Sequence, residues 1–217
     1  KRNLKRAEAV GTEMSILRKV WHFIWYEESI ASWLVNVFLA FMLIKFALYP
    51  VVGLALGTDL PVVAVVSGSM EHEGLGVDGW WFGCCSPCQG KQPQAYEPYG
   101  ITLEHIRSFP FAQGFNKGDL MILTGAGNVK EGDVLVFQAE SVSEPIIHRV
   151  IDKKEGVFTT KGDHNCGLGE VDKDIPAQRV LGKASLRVPL LGWVKVAATC
   201  GIQSFVSSQS FVGCMRP

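Results

Sequence analysis

Ser67 and Ser69, separated by one glycine in the motif SGSM, could supply the nucleophile of a catalytic site. A serine hydroxyl is a weak nucleophile until a neighbouring base removes its proton. The intervening glycine lets the backbone approach a substrate closely. Because Ser-Gly pairs are also common in turns, the motif predicts a nucleophile only if the chain supplies a base and a group that orients it.

Candidates for both partners lie further along the chain. His148 stands inside the apolar run PIIHRVI, where a strand would aim its imidazole as a general base requires. Asp163, in TKGDHN, follows another apolar run and has the position of a group that orients an imidazole. Taken singly, the histidine also suits a core position and the aspartate a turn. His72 and His164 flank the proposed site as competing base candidates, or as residues that shape its pocket.

The elements that must position these groups are short apolar or β-branched runs separated by turn residues, a pattern that predicts a mainly β domain. Gly118-Asp119 and Gly132-Asp133 each precede such a run, and we expect their aspartates to form turns. The predicted strands are VVAVV at 62–66, LMILT at 120–124, DVLVF at 133–137, PIIHRVI at 145–151, GVFTTK at 156–161 and LGKASLRV at 181–188.

An apolar stretch at 30–48 precedes this domain and carries Lys45 as its only charge. About 19 residues rising about 1.5 Å each span about 28 Å, close to a bilayer hydrocarbon core of about 30 Å. Pro50 is expected to end the helix. The stretch therefore predicts a transmembrane helix at 30–49. A cleaved signal peptide and a buried core helix fit less well, because a long leader precedes the stretch and it has no polar face.

Charge distribution predicts how the chain would lie in a membrane. The segment 1–29 contains six lysines and arginines, so the positive-inside rule places it in the cytoplasm and the residues after Pro50 outside. The formal net charge of the whole chain is zero, and no basic stripe is interleaved with aromatic residues. We therefore expect no nucleic-acid partner.

Two segments interrupt the β pattern. Residues 74–115 are rich in Gly, Pro, Cys and aromatics and are predicted to form an inserted Cys-rich loop. The tail at 196–217 is predicted to lie at the membrane interface or to dock on the domain, with a second span left open. Disulfides, a zinc site built on the loop cysteines and free thiols all remain open for the six cysteines. They are Cys84, Cys85, Cys88, Cys166, Cys200 and Cys214.

Taken together, the motifs resemble the type I signal peptidases of archaea and the endoplasmic reticulum, the branch that uses histidine as its base. The resemblance covers the apolar stretch and almost all of 58–194, and bacterial members place lysine where this chain has His148. It implies a signal-peptidase-like β catalytic domain at 58–195 on an N-terminal transmembrane helix. It is carried by PVVAVVSGSME, GDLMIL, GDVLVF, PIIHRVI, TKGDHN and VLGKASLRVPLLGWVK.

The resemblance also implies residue roles and an activity. Ser69 would be the nucleophile, His148 the base, and Asp163 the residue that orients the imidazole, while Ser67 and the Ser69 backbone N–H would form the oxyanion hole. The implied reaction removes signal peptides from exported preproteins after small residues, without a cofactor or a metal. The expected partners are signal peptides and the lipid membrane, and the expected location is the cell membrane or the endoplasmic reticulum membrane, with the site on the extracytoplasmic face.

Some positions depart from the family pattern. The family usually reads SGSMEP and GDNN, whereas this chain has His72 in place of the proline and His164 in place of an asparagine. A second family aspartate would fall at Gly169. Asp172 is our choice for its role after a small insertion, with Asp174 as the alternative.

Three other functions fit the sequence less well. A self-cleaving regulatory protease of the serine-lysine type would carry a DNA-binding N-terminal domain and a lysine base. An inert membrane accessory protein with the same fold would be expected to lose Ser69 or His148, and both residues are present. A membrane-tethered metal-binding module would rest on the Cys-rich segment alone.

Overall fold

The apolar stretch and the β domain fold as two units, divided between Val52 and Gly53. The structure is a computed structural model that describes residues 16–83, 85 and 92–207, with side chains up to residue 201. The first unit is helical. The second contains an antiparallel sheet, which agrees with the prediction of a mainly β domain.

A short helix, α1 (16–26), precedes the long apolar helix α2. Two polar side chains of α2 donate hydrogen bonds to carbonyl groups near the end of α1. The Ser32 hydroxyl donates to the Phe23 carbonyl at 2.6 Å, and the Asn36 amide donates to the Ile24 carbonyl at 2.8 Å. These two polar side chains are thereby satisfied within the first unit.

Helix α2 extends over Ile30–Leu56, 27 residues, and is the one helix among the described residues that is long and apolar enough to cross a membrane. The prediction that the helix ends at Pro50 is wrong. The turn before the proline is a π-helix, Ile44–Leu48, in which the Tyr49 N–H donates to the Ile44 carbonyl. This wider turn accommodates the proline ring, so the helix continues past it.

Seven strands of the described residues form one antiparallel sheet in the order β1-β2-β7-β3-β4-β5-β6. Each of the six predicted strands is present, although β1 is shorter than expected and β4 is longer. Strand β6 was not predicted, because two residues that include a proline give no periodic signal. The strands are β1 (Val62–Ala64), β2 (Leu120–Thr124), β3 (Val134–Phe137), β4 (Ile146–Lys154), β5 (Val157–Lys161), β6 (Ile175–Pro176) and β7 (Val180–Val188).

Strand β3 lies in the middle of the sheet and is buried on both faces. Side chains alternate between the faces of a strand, so Val134 and Val136 pack in one hydrophobic cluster, while Leu135 and Phe137 pack in another. The sheet is thus covered on both sides where it passes from β3 to β4, the strand that carries His148.

The two Gly-Asp turns have the same construction. Gly118 and Gly132 have φ angles of 87° and 86°, which glycine adopts without steric cost. Asp119 and Asp133 each accept a hydrogen bond from the backbone N–H three residues earlier, at 2.8 Å in both turns. The prediction that these aspartates form turns is confirmed.

The 74–115 segment is helical over much of its described length, whereas the sequence predicted a long loop. Its large aromatic side chains form a separate hydrophobic cluster with Trp80, Trp81 and Tyr96 at the centre. Ile151, at the bulge in β4, joins this cluster and connects it to the sheet. The helices are α3 (Val77–Gly83), α4 (Gln92–Tyr96) and α5 (Leu103–Ser108), and a 3₁₀ turn, Glu97–Tyr99, follows α4.

A C-terminal helix, α6 (Trp193–Ser207), follows β7. Val196 and Cys200 are buried, so the described part of the helix packs against the second unit. A Cβ added to Gly118 would lie 2.2 Å from Trp193 Nε1, which shows how closely the indole covers that turn. Positions 208–217 of the predicted tail lie outside the described residues.

Candidate active site

Ser69 lies in a tight turn shortly after β1. The Glu71 N–H donates to the Gly68 carbonyl at 3.0 Å and closes the turn, while Met70 anchors it with a side chain that is fully buried in the core. Ser69 remains partly accessible. Its hydroxyl oxygen is 3.3 Å from the hydroxyl oxygen of Ser67. The turn therefore holds the backbone firmly and leaves two hydroxyl groups side by side near the surface.

The loop at 162–165, which follows β5, lies against this turn. The His164 N–H donates to the Ser69 carbonyl at 2.8 Å. The Asp163 N–H lies 3.4 Å from the Met70 sulfur. The position of the serine backbone thus depends directly on the position of the 162–165 loop.

His148 is buried on β4, with a relative exposure of 5%. Its Nδ1 is 2.5 Å from Oδ1 of Asp172, which lies on the 3₁₀ turn Glu170–Asp172. An ionised carboxylate only accepts hydrogen bonds, so this contact requires the proton on Nδ1. The lone pair is then on Nε2, the nitrogen that a general base needs to have free.

Asp172 is itself well held. The Thr160 hydroxyl donates to Oδ1 at 2.9 Å, and the Gly169 N–H donates to Oδ2 at 2.8 Å. Burial opposes ionisation, but the hydrogen bonds from His148, Gly169 and Thr160 hold the pKa of Asp172 below its usual range. The carboxylate is therefore ionised at neutral pH and fixes the orientation of the imidazole.

Gly162 is the point where the histidine and the serine backbone come together. A Cβ added there would lie 2.8 Å from His148 Nε2 and 2.9 Å from the Ser69 carbonyl oxygen. Among the described contacts, the Ser69 hydroxyl pairs with Ser67 rather than with Nε2. Hydrogen bonds of this kind often tighten only when substrate is bound. The structure places His148 and Ser69 at one site, with no direct hydrogen bond between their side chains among the described contacts.

Asp163 does not orient His148, which corrects the role expected from the sequence. Both of its carboxylate oxygens are engaged by Arg149, at 2.9 Å from Nε and 2.6 Å from Nη2. The Tyr96 hydroxyl and His72 Nε2 lie at 3.0 and 3.1 Å. Burial opposes ionisation of this carboxyl group, but the charges and hydrogen bonds of Arg149 and His72 hold its pKa well below the usual range.

The alternation of side chains along β4 explains why the two aspartates have different partners. His148 and Arg149 are neighbours on a strand, so their side chains point to opposite faces of the sheet. Thr160 on β5 pairs with Val150 of β4, so its side chain lies on the same face as His148, where it also contacts Asp172. The guanidinium of Arg149 is directed to Asp163 on the other face. Asp174, the alternative to Asp172, is exposed.

The two competing histidines are engaged elsewhere. His72 is buried and stacks on Trp80, with ring centroids 4.3 Å apart, while its Nε2 contacts Asp163. His164 Nδ1 is 3.2 Å from the Glu71 carbonyl oxygen. His148 instead has Nδ1 on Asp172 and Nε2 against Gly162 beside the Ser69 carbonyl, so the geometry favours it as the candidate base.

Lys161 is a buried cation that the sequence analysis missed. Its ammonium donates to Gln92 Oε1 at 2.7 Å and to the carbonyls of Gly162 and Asn165 at 3.0 and 2.8 Å. It also lies 4.6 Å from the centroid of the Tyr96 ring. Burial lowers the pKa of Lys161 to about 8. Lysine on a strand is ordinarily exposed, so nothing in its residue type indicated that Lys161 is buried. Its position directly before Gly162-Asp163 was the only feature of the sequence that pointed to it.

A cavity of about 250 Å³ is lined in part by Val66, the residue that precedes Ser67. Its wall combines residues from the chain after β1, from the chain before β4 and from α6. The lining residues are Val66, Lys117, Glu144, Lys195, Val196, Thr199 and Cys200.

The described cysteines act as structural crosslinks rather than as metal ligands. Cys85, Cys166 and Cys200 are disulfide-bonded, so the disulfide alternative is confirmed for these three. Cys85 lies near Glu73 and His164 in a group with ligand-like spacing. A disulfide sulfur is not the thiolate that a zinc site uses, so the structure does not support a metal site there. Cys84, Cys88 and Cys214 lie outside the described residues.

Comparison with curated proteins gives relatives that carry one name, signal peptidase complex catalytic subunit. The chain is 30% identical over 94 residues to that subunit, SEC11, of Colletotrichum graminicola, in a match that covers 38% of this chain and 55% of the relative. It is 32% identical to sec11 of Dictyostelium discoideum and 33% identical to SEC11C of Homo sapiens, over 52% and 49% of those proteins. The resemblance predicted from the motifs is confirmed.

The match has a limited extent. The chain spans about half the length of the curated relatives it matches. No family model matches the chain.

Proposed function

We propose that this chain is a membrane-anchored serine endopeptidase that removes N-terminal signal peptides from exported preproteins. The observation that carries the proposal is the buried His148–Asp172 pair, whose imidazole Nε2 faces the backbone of the accessible Ser69 turn. The relatives named signal peptidase catalytic subunits support the same activity.

In this mechanism the Ser69 hydroxyl attacks the carbonyl carbon of the scissile peptide bond. His148 Nε2 takes the serine proton and then gives it to the leaving amine, and water later releases the acyl group by the same route in reverse. Asp172 keeps the proton on Nδ1 and stabilises the imidazolium that forms. Asp163 takes no part in proton transfer and holds Arg149 and the 162–165 loop in place.

The negative charge that develops on the attacked carbonyl oxygen needs donors close by. We assign this role to the Ser69 N–H and to the Ser67 hydroxyl, which lies 3.3 Å from the nucleophile. Removing a single donor of this type typically lowers turnover about a hundredfold to a thousandfold. Ser67 is therefore important for rate without being the nucleophile.

The cavity at Val66 is the proposed binding place for the substrate residues that precede the cut. Its lining includes Val66, which follows β1 and precedes Ser67, and Glu144, which precedes β4. We propose that small side chains are accepted at the cut and that bulky ones are rejected.

We further propose that α2 anchors the chain, with residues 1–29 in the cytoplasm and the catalytic unit on the extracytoplasmic face of the endoplasmic reticulum membrane or the cell membrane. The relatives are named as subunits of a signal peptidase complex. Accessory subunits are therefore proposed partners, in addition to signal peptides and lipid.

The proposal is tested with the full chain in detergent and two preproteins that differ only at the residue before the cut, alanine in one and leucine in the other. We expect cleavage after alanine, and at least about a hundredfold slower cleavage after leucine, because overpacking a small pocket costs a few kcal/mol. N-terminal sequencing of the product locates the cut.

The Ser69→Ala chain, prepared in the same way, is the blank for contaminating proteases. Equal cleavage of both preproteins would contradict the proposed specificity. No cleavage of either one, with lipid present, would favour an inert accessory protein.

A further inference from the structure

The 74–115 segment contacts the 162–165 loop through side chains that the proposed mechanism does not use. Trp80, Gln92 and Tyr96 are all fully buried, and each places a polar group on this loop. The Trp80 indole N–H and the Gln92 amide both donate to the Asp163 carbonyl at 2.9 Å. The Tyr96 hydroxyl donates to the Asp163 carboxylate at 3.0 Å.

Gln92 connects the segment to both ends of the loop. Its Oε1 accepts a hydrogen bond from the Lys161 ammonium at 2.7 Å, which fixes the orientation of the amide. Its Nε2 donates to the Asp163 carbonyl and, at 3.4 Å, to the Asn165 carbonyl. Carbonyl groups in a buried loop must find donors, and this loop finds several of them outside its own sequence.

The segment also holds the residue next to the proposed base. Arg149 donates from Nη1 to the Pro110 carbonyl at 2.7 Å and from Nη2 to the Phe111 carbonyl at 3.0 Å. Arg149 follows His148 directly on β4. The segment therefore hydrogen-bonds both to the strand that carries His148 and to the 162–165 loop, which contacts Ser69.

The 162–165 loop in turn contacts both Ser69 and His148, so holding the loop also holds these two residues. The His164 N–H donates to the Ser69 carbonyl at 2.8 Å, and Gly162 lies in close contact with His148 Nε2. A displacement of the loop would therefore shift the serine and open space around the imidazole. A displacement of about 1 Å is enough to lower turnover about a hundredfold.

From these contacts we infer that Trp80, Gln92 and Tyr96 are positioning residues that hold the 162–165 loop in the geometry required for attack by Ser69. This inference deepens the proposed function and rests on it. The 74–115 segment lies outside the sheet, but its side chains are required to keep the proposed active site in its reactive geometry.

The test uses two substitutions that remove one donor each and keep an aromatic ring, Trp80→Phe and Tyr96→Phe. Trp81→Phe and Tyr99→Phe are the matched controls. Trp81 lies in the same hydrophobic cluster and Tyr99 packs against it. Among the described contacts, neither donates a hydrogen bond to the loop.

We expect Trp80→Phe and Tyr96→Phe to lower kcat at least about tenfold while KM stays within about twofold, because the loop moves but the substrate pocket does not. Hydrogen exchange at the His164 amide should rise about tenfold in these two variants. The controls should match the unmodified chain in kcat and in exchange.

Unchanged kcat and unchanged exchange in the two donor variants would overturn the inference. Equal losses of kcat in all four variants, in step with their thermal midpoints, would also overturn it, because they would indicate a general effect on the fold. If the unmodified chain cleaves nothing, the proposed function fails, and the exchange measurement alone then decides whether the segment positions the loop.

Discussion

His148 and Arg149 are neighbours in sequence, and their side chains leave β4 on opposite faces of the sheet. Each therefore meets a different aspartate: His148 contacts Asp172, and Arg149 contacts Asp163. The first pair sets the tautomer of the proposed base. The second is a fully buried ion pair that fastens the 162–165 loop. The alternation of side chains along β4 therefore places the proposed catalytic pair and the structural ion pair on opposite faces of the sheet.

Replacing each aspartate by asparagine separates the two roles. We expect Asp172→Asn to lower kcat about a thousandfold or more, because an amide favours the wrong imidazole tautomer. Its thermal midpoint should fall less than that of Asp163→Asn, because no buried guanidinium loses its charge partner. Turnover and thermal midpoint are measured on the same preparations.

Asp163→Asn should instead lower the thermal midpoint, because it leaves the Arg149 guanidinium buried without its charge partner, at a cost of about 3–5 kcal/mol. Asp174→Asn, at an exposed position, is the control for both quantities. A stable but inactive Asp163→Asn together with an active Asp172→Asn would reverse our assignment.

Among the elements, the strands could be read from the sequence because alternating and apolar runs are local signals. Motif resemblance also predicted that Ser69, His148 and Asp172 belong to one site; the structure brings them close together, and their catalytic roles stay predictions. Which aspartate contacts His148 could not be predicted, because it depends on which face of β4 each side chain takes. The helices around Trp80 were missed because they are short and separated by glycine and proline, and packing rather than periodicity stabilises them.

Gly162, in the loop between β5 and β6, lies in close contact with His148 on β4 and with the Ser69 turn. Gly162→Ala should lower kcat at least about a hundredfold, because the added methyl group would lie 2.8 Å from His148 Nε2 and must displace it. Gly167→Ala, a few residues along, meets no atom within 4 Å and should keep the activity of the unmodified chain. Equal activity of both variants in the cleavage assay would show that this close approach does not matter for the reaction.

At the scale of the whole molecule, the chain combines an apolar helix with a β-sheet unit that contains buried charges. Asp163 and Asp172 both have pKa values below the usual range in the folded state. A carboxyl group of this kind contributes stability above its unfolded pKa of about 4, and that contribution is lost as the pH falls toward the folded value.

The thermal midpoint of the full chain in detergent should therefore fall steeply between about pH 5 and pH 2. Asp163→Asn starts from a lower midpoint and should show a shallower fall, because one of the two titrating groups is gone. Tryptophan fluorescence during heating gives both curves. A slope identical to that of the unmodified chain would mean that Asp163 does not contribute to acid unfolding.

The central claim is that the Ser69 hydroxyl, activated by His148, cuts the peptide bond. The most direct measurement is cleavage of the alanine-containing preprotein by the unmodified chain, Ser69→Ala, Ser67→Ala and His148→Ala, each as the full chain in detergent with lipid. We predict that Ser69→Ala and His148→Ala each lose about a millionfold in turnover, whereas Ser67→Ala retains a measurable fraction. Full activity of Ser69→Ala, or complete loss in Ser67→Ala alone, would contradict the account.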